Sequence, residues 1–214
     1  MFFDTNVAPF GYAWVFNSGK DHYKIGITEA DVDPSCKLPS LDERLEKFID
    51  LLQVREDVEF IEKHGGSIHV YKHCPIVGYK NVLAVGDSAG GIHSLTGEGI
   101  RHGIVSAKLA VDAIANSHAK NSSNALSEYK RTWLKHRGIR WLTSYIFGDV
   151  LYRRNSKYSQ KFYYQLVRLC TAKLSIEDAV NLVYNYNYGT ILSKFPANLS
   201  LIKTFLLALF LSKR

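Results

Sequence analysis

The residues best suited to chemistry lie between Val82 and Ile100, in the run Val-Leu-Ala-Val-Gly-Asp-Ser-Ala-Gly-Gly-Ile-His-Ser-Leu-Thr-Gly-Glu-Gly-Ile. A short apolar strand there delivers one carboxylate, Asp87, at its C-terminal end. Small residues follow, so a ligand can reach backbone. Gly97 and Gly99 then lead into a helix. Ligands of α/β folds bind at the carboxyl ends of strands. A helix N-terminus offers free N–H groups and a partial positive charge. A carboxylate that accepts hydroxyl hydrogen bonds, next to a helix start that favours negative charge, suits a sugar-like chain joined to an electron-rich ring. The same residues also suit a plain tight strand–helix turn, and spacing alone leaves both readings open.

The elements that must position this run belong to a chain of 214 residues, enough for one domain or two small ones. It is 46% hydrophobic and 22% charged, which excludes disorder, collagen and a disulfide mini-scaffold. The net charge of +7 hides an asymmetry. Residues 1–100 carry 9 basic and 15 acidic side chains, whereas residues 101–214 carry 18 and 5. A basic half of this kind meets membrane headgroups, nucleic acid or an acidic partner. Cys36, Cys74 and Cys170 are odd in number and far apart, so no disulfide framework or metal site is expected and a reducing compartment is. The start, Met-Phe-Phe-Asp, lacks the basic opening and apolar run of a signal peptide. No stretch reaches the ~18 apolar residues of a spanning helix; Phe205–Leu211 is too short.

Gly11–Phe16 alternates Tyr12, Trp14 and Phe16 with Ala13 and Val15, a strand with one aromatic face. A turn cluster at Asn17–Asp21 and an extended Tyr23–Ile27 complete a hairpin. Asp31–Ser40, with Pro34 and Pro39, reads as a loop. Ser40-x-x-Glu43 is a capping box, opening a helix whose buried stripe is Leu41, Leu45, Phe48, Ile49 and Leu52. His64–Tyr79 reads as mostly extended. Val82–Val85 reads as a strand buried on both faces. The helix from Gly99 carries Ile100, Ile104, Ala107, Val111 and Ile114 at helical spacing. Tyr129–Lys173 sets 11 basic residues against one acid, with ten aromatics among them, and reads as mostly helical. Ser175-x-x-Asp178 starts another helix, and a last apolar helix runs from about Leu199 to Leu211.

The runs Val-Gly-Asp-Ser-Ala-Gly, Leu-Thr-Gly-Glu-Gly-Ile and Ser106-Ala107-Lys108-Leu109-Ala110 resemble the second flavin motif of the geranylgeranyl reductase family, within the p-hydroxybenzoate-hydroxylase-like flavoproteins. Gly11–Phe16 resembles that family's aromatic substrate-domain strand. The resemblance covers roughly residues 8–115. It implies an α+β or α/β fold, the C-terminal part of such a flavoprotein. The implied segments are a β-rich substrate portion at 1–80, a strand-loop-helix FAD motif at 81–116 and a basic helical region at 117–214. Asp87 would bond the FAD ribityl chain near the pyrophosphate, with Gly86 and Gly97 also binding the cofactor. Gly99 and Ile100 would aim N–H groups at the pyrimidine edge of the flavin. Tyr12, Trp14 and Phe16 would line a channel for an isoprenoid chain, with a plain core aromatic the other reading of Trp14. The resemblance names no catalytic residue; NADPH or ferredoxin would be the external electron donor.

Departures are visible. Asn17 and Ser94 stand where the family commonly has proline. His93 stands where it often has asparagine, and reads as a solvent-facing loop histidine, a place near the flavin being the alternative. No G-x-G-x-x-G follows an N-terminal strand, so the ADP-binding βαβ unit would be supplied elsewhere, as a longer chain or on another chain. The backbone of Val82–Val85 would then lack partners. The expected protein is an FAD-dependent oxidoreductase that reduces carbon–carbon double bonds of a prenyl lipid. It would be cytoplasmic, sit peripherally on a membrane through its basic half, with Leu201, Phe205, Leu206, Leu209 and Phe210 adding burial, and bind no nucleic acid. The alternatives are a flavin monooxygenase or halogenase-like relative and a noncatalytic lipid-binding remnant.

Overall fold

A computed structural model of the chain describes residues 2, 4, 6–30, 38–54, 59–72, 77–153, 157–189, 193 and 199–211. Pro34, Cys36, Cys74, Pro196 and part of the extended stretch expected before Tyr79 lie outside these. In chain order the elements are β1 (Gly11–Gly19), β2 (His22–Glu29), α1 (Leu41–Leu51), β3 (Gly78–Tyr79) and β4 (Val82–Leu83). A short 3-10 turn over Gly86–Ala89 leads on to α2 (Ile100–Ala119) and α3 (Ala125–Gly148). After a π-helical turn over Asp149–Arg153 come α4 (Lys157–Lys173), α5 (Ile176–Val183) and α6 (Leu199–Leu211). They fall into two compact units. Residues 1–64, 149–173 and 197–214 form the first, and 65–148 with 174–196 the second.

In the first unit β1 and β2 pair antiparallel, with Ala13 opposite Ile27 and Trp14 opposite Gly26. The strand period of two sends Ala13 and Val15 to one face and the aromatic residues to the other. The register slips between Asn17 and Gly19, where the Gly19 N–H donates to Asn17 Oδ1 at 2.9 Å. An asparagine thus closes the bulge at the position where a proline was the family's expected residue. The Ala13 face packs with Val7 and Phe48, flanked by Val15, Ile25, Ile27 and Leu52. Phe48 comes from α1, whose capping box forms as expected: Ser40 Oγ accepts the Glu43 N–H at 3.2 Å and Glu43 Oε2 accepts the Ser40 N–H at 2.7 Å. Such a cap contributes about 0.5–2 kcal/mol. The stripe is narrower than expected, because Leu41 is exposed and Arg44 takes a buried place. Arg44 donates to the Glu29 carboxylate and to the Pro39 carbonyl at 3.0 Å, so its charge is paired where it is buried. Further along, α4 and α6 meet through Phe162 and Phe205, ring centroids 5.1 Å apart.

The second unit is built on α2 and α3. Its core joins Val77, Ala89, Ala110, Ala113, Tyr129 and Trp133. Gly138 lies at φ +55° and kinks α3, a conformation that glycine adopts without steric cost. One expectation is corrected here. Only Val82 and Leu83 form a strand, antiparallel to Gly78–Tyr79, and Val82 is 68% exposed. The parallel neighbours that would bury such a strand are not among the described residues; instead Tyr129 Oη donates to the Ala84 carbonyl at 2.8 Å, giving it a partner. The helix after Gly99 forms, but its aliphatic stripe faces outward: Ile100 is 84%, Ile104 67% and Val111 63% exposed. The buried face of α2 is His102, Ser106, Ala110, Ala113 and Ser117. These include small residues that allow close approach of α3.

Candidate functional site

The turn between β4 and α2 is shaped by glycine. Gly86 (φ +63°) opens it and Gly90 (φ +67°) closes it. The N–H groups of Gly90 and Gly91 donate to the carbonyls of Asp87 and Gly86, each at 2.9 Å. The Gly86 N–H donates to Ser106 Oγ at 2.8 Å, and Ser106 donates to the Gly103 carbonyl. The turn is thereby pinned to α2, with a Cβ at Gly103 only 3.6 Å from Gly86 Cα. Gly97 (φ +69°) ends the following loop, its N–H on the His93 carbonyl at 2.8 Å.

This folding brings Asp87 to the start of α2. A Cβ on Gly99 would lie 3.0 Å from Asp87 Oδ1, so residue 99 must be small for the carboxylate to sit there. The Asp87 carboxylate is exposed and makes no hydrogen bond among the described residues. Gly99 is the N-cap of α2 and no side chain caps the helix. A free acceptor and free N–H donors therefore stand side by side, with Gly86 preceding Asp87 and Ile100 as the first helical residue. That donor set suits a polyhydroxyl chain joined to a ring with an electron-rich edge, and so fits a flavin.

Beneath the turn lies a cluster that sequence reading missed. His93 is 0% exposed, which corrects its reading as a solvent-facing histidine: the 93–98 loop folds inward against α3. His93 Nε2 lies 2.5 Å from Ser144 Oγ and Nδ1 lies 3.0 Å from Thr96 Oγ1. Ser144 also bonds Tyr188. Tyr186 stacks on His93 with centroids 3.8 Å apart, and Trp141 meets His93 and His102 edge-on. Arg101 forks onto Glu98, with Nε–Oε1 at 2.7 Å and Nη2–Oε2 at 2.9 Å. Burial, then the neighbouring His102, lowers the pKa of His93 to about 3. Burial lowers His102 to about 4. Burial pushes the Glu98 carboxyl up, but hydrogen bonds from Arg101 and Tyr186 outweigh it and hold the group below its ordinary range. The Glu98–Arg101–His102 spacing was visible in the sequence; Tyr186, some 85 residues on, carried no local signal.

In the first unit the aromatic strip is continuous. Tyr12 and Trp14 are half-buried and Phe16 exposed, with centroids 5.9 Å and 6.2 Å apart. The Trp14 indole lies over Gly26, where a Cβ would come within 2.2 Å of the ring. Tyr152, buried in the π-helical turn, extends the strip with its centroid 6.4 Å from Tyr12. Neither Gly26 nor Tyr152 was singled out by sequence. On α6, Leu201 faces inward, contrary to expectation, while Ile202, Leu206 and Phe210 are exposed at four-residue spacing. No described helix is long and apolar enough to cross a membrane.

No protein-family model matches the chain. Digeranylgeranylglycerophospholipid reductase 3 of Methanosphaera stadtmanae is 28% identical over 187 residues, covering 86% of this chain and 46% of that protein. The reductase of the same name from Haloferax volcanii is 28% identical over 188 residues, with 83% and 45% covered. That of Methanocaldococcus jannaschii is 32% identical over 162 residues, with 68% and 37% covered. The crystal structure of a geranylgeranyl bacteriochlorophyll reductase-like protein from Thermoplasma acidophilum superposes with a TM-score of 0.69 at 20% identity, over 93% of this chain and 48% of that one. The chain thus spans about half the length of the curated relatives it matches. It has the fold of the C-terminal part of a geranylgeranyl reductase-like protein and is homologous to proteins named digeranylgeranylglycerophospholipid reductase.

Proposed function

We propose that the chain is the flavin-edge and prenyl-binding portion of an FAD-dependent reductase that saturates carbon–carbon double bonds of an isoprenoid lipid. The observation that carries this reading is the free Asp87 carboxylate beside the uncapped start of α2. Asp87 accepts hydrogen bonds from the ribityl hydroxyls. Gly86 and Gly97 hold the turn, and Gly99 leaves room that a side chain would fill. The N–H groups at Gly99 and Ile100 face the pyrimidine edge, where the positive helix end favours the reduced, anionic ring. When bound, the reduced flavin would supply the hydride for one carbon of the double bond, and a proton would add at the other. Tyr12, Trp14 and Phe16, with Tyr152 beyond, hold the prenyl chain by apolar contact. The names of the relatives support a digeranylgeranyl glycerophospholipid as substrate class. Electrons come from an external donor, NADPH or ferredoxin.

The adenine end of FAD falls to an ADP-binding half. Its docking face is the outward stripe Ile100, Ile104 and Val111, since burying each fully contributes about 1.5–3 kcal/mol. The protein works as a peripheral membrane enzyme of the cytoplasm, resting on lipid through Ile202, Leu206 and Phe210 and through basic residues of α4. The test is to combine the chain with FAD, the nucleotide-binding half of a relative, dithionite and a digeranylgeranyl glycerophospholipid. Mass spectrometry should find a pair of hydrogens added per double bond reduced. Flavin binding without lipid reduction in that mixture would instead fit a monooxygenase-like relative, and absence of both would fit a noncatalytic remnant.

A further inference from the structure

The segment Tyr184–Tyr188 returns to the loop that leads into α2, and the Tyr186 hydroxyl is the hub of the junction. It donates to Glu98 Oε2 at 2.5 Å, accepts from Arg101 Nη2 at 2.8 Å and lies 2.5 Å from His102 Nε2. Arg101 Nη2 also donates to the Tyr184 carbonyl at 2.8 Å. A phenol has one proton. With that proton on Glu98, His102 must donate through Nε2–H, which leaves Nδ1 bare to accept from His136 Nε2 at 3.5 Å. Every donor in the chain from His136 through His102 and Tyr186 points toward Glu98. Glu98 itself stands between Gly97 and Gly99. Glycine on both sides makes this backbone conformationally free, so the anchored carboxylate adds a side-chain tether to the two backbone bonds that hold the loop, His93 N–H to the Glu98 carbonyl at 2.9 Å and Gly97 N–H to the His93 carbonyl at 2.8 Å.

We propose that Tyr186 and His102 are positioning residues for the cofactor turn: by anchoring Glu98 on the core side they set the Gly97–Ile100 backbone and turn the Glu98 charge away from the bound ring. The geometry stands by itself; its consequence for the cofactor rests on the flavin reading above. A carboxylate left loose next to the helix start would oppose negative charge on a reduced flavin. The groups facing His102 are Glu98, Arg101, His93, His136 and Arg137. Burial among them keeps the ring neutral at pH 7, in the state the donor chain requires.

The experiment is amide hydrogen exchange on the whole 214-residue chain at pH 7, with ¹⁵N NMR of the histidine rings. Tyr186→Phe should speed exchange of the hydrogen-bonded amides of His93, Gly97 and Gly103 at least about tenfold, because a hydrogen bond to a charged group is lost, and leave α1 unchanged. His102→Gln keeps a side-chain N–H donor and should keep the protection; His102→Leu should lose it. The His102 ring should show the Nε2–H tautomer. Unchanged exchange in Tyr186→Phe, equal effects of Gln and Leu at 102, or an Nδ1–H tautomer would overturn the proposal. FAD titration in the presence of an ADP-binding half separates the two layers. No binding by the wild type would overturn the flavin reading. Wild-type binding that Tyr186→Phe leaves unchanged would overturn the positioning role.

Discussion

Acid should unfold the second unit selectively, and the size of the effect follows from two rings. His93 and His102 are held neutral by burial, with pKa values of about 3 and about 4. Unfolding restores an ordinary value near 6.5. Between those limits the unfolded state binds more protons, so stability is complete above about pH 6.5 and falls as pH drops below it. Each ring costs about 1.4 kcal/mol per pH unit in that window. Between pH 7 and pH 5 the loss is about 2 kcal/mol per histidine and about 4 kcal/mol for the pair, a large share of a small domain's stability. Glu98, with its carboxyl held low, adds a loss of the same sign only in stronger acid. Trp133 and Trp141 lie in this unit and Trp14 in the first, so denaturant titrations followed by tryptophan fluorescence in a Trp14→Phe background report it. His102→Gln, which cannot titrate, should remove up to about half of the pH dependence, the pKa of His136 being lowered in the same direction by burial. Equal unfolding free energies at pH 7 and pH 5, or an unaltered dependence in His102→Gln, would refute the reasoning.

Two further outcomes are expected. Gly26→Val would drive a Cβ into the Trp14 indole; it should cost about 1–3 kcal/mol as overpacking does and shift Trp14 emission toward the red. The chain should sediment with acidic vesicles, less so as salt screens charge beyond ~8 Å. Phe210→Asp should release it without unfolding, whereas Leu201→Asp should unfold the first unit, and equal recovery on neutral vesicles would remove the electrostatic part of the argument.

What was legible in the sequence was mostly local. The capping boxes at Ser40 and Ser175, the hairpin and the Leu199–Leu211 helix depend on residues a few positions apart, and all of them formed. The Gly86–Ile100 turn was legible for the same reason, since glycine spacing fixes where φ turns positive. The face that α2 buries was not. Hydrophobic periodicity identifies a helix and a stripe, but not what covers that stripe, and here the chain's own core takes the small residues and His102 instead. His93 was misread because its burial depends on Trp141, Ser144 and Tyr186, none of them near it in sequence. Gly26 needed the strand register that sets it opposite Trp14.

The central claim is that Asp87 and the start of α2 hold one edge of FAD. FAD affinity of the chain joined by an ADP-binding half, measured by quenching of flavin fluorescence for wild type and Asp87→Ala, tests it most directly. The account predicts stoichiometric binding by the wild type and a roughly ten- to hundredfold loss in Asp87→Ala, the effect of removing a charged hydrogen-bond acceptor worth ~1.5–3 kcal/mol. Equal dissociation constants for the two proteins would reduce Asp87 to a turn residue and contradict the claim.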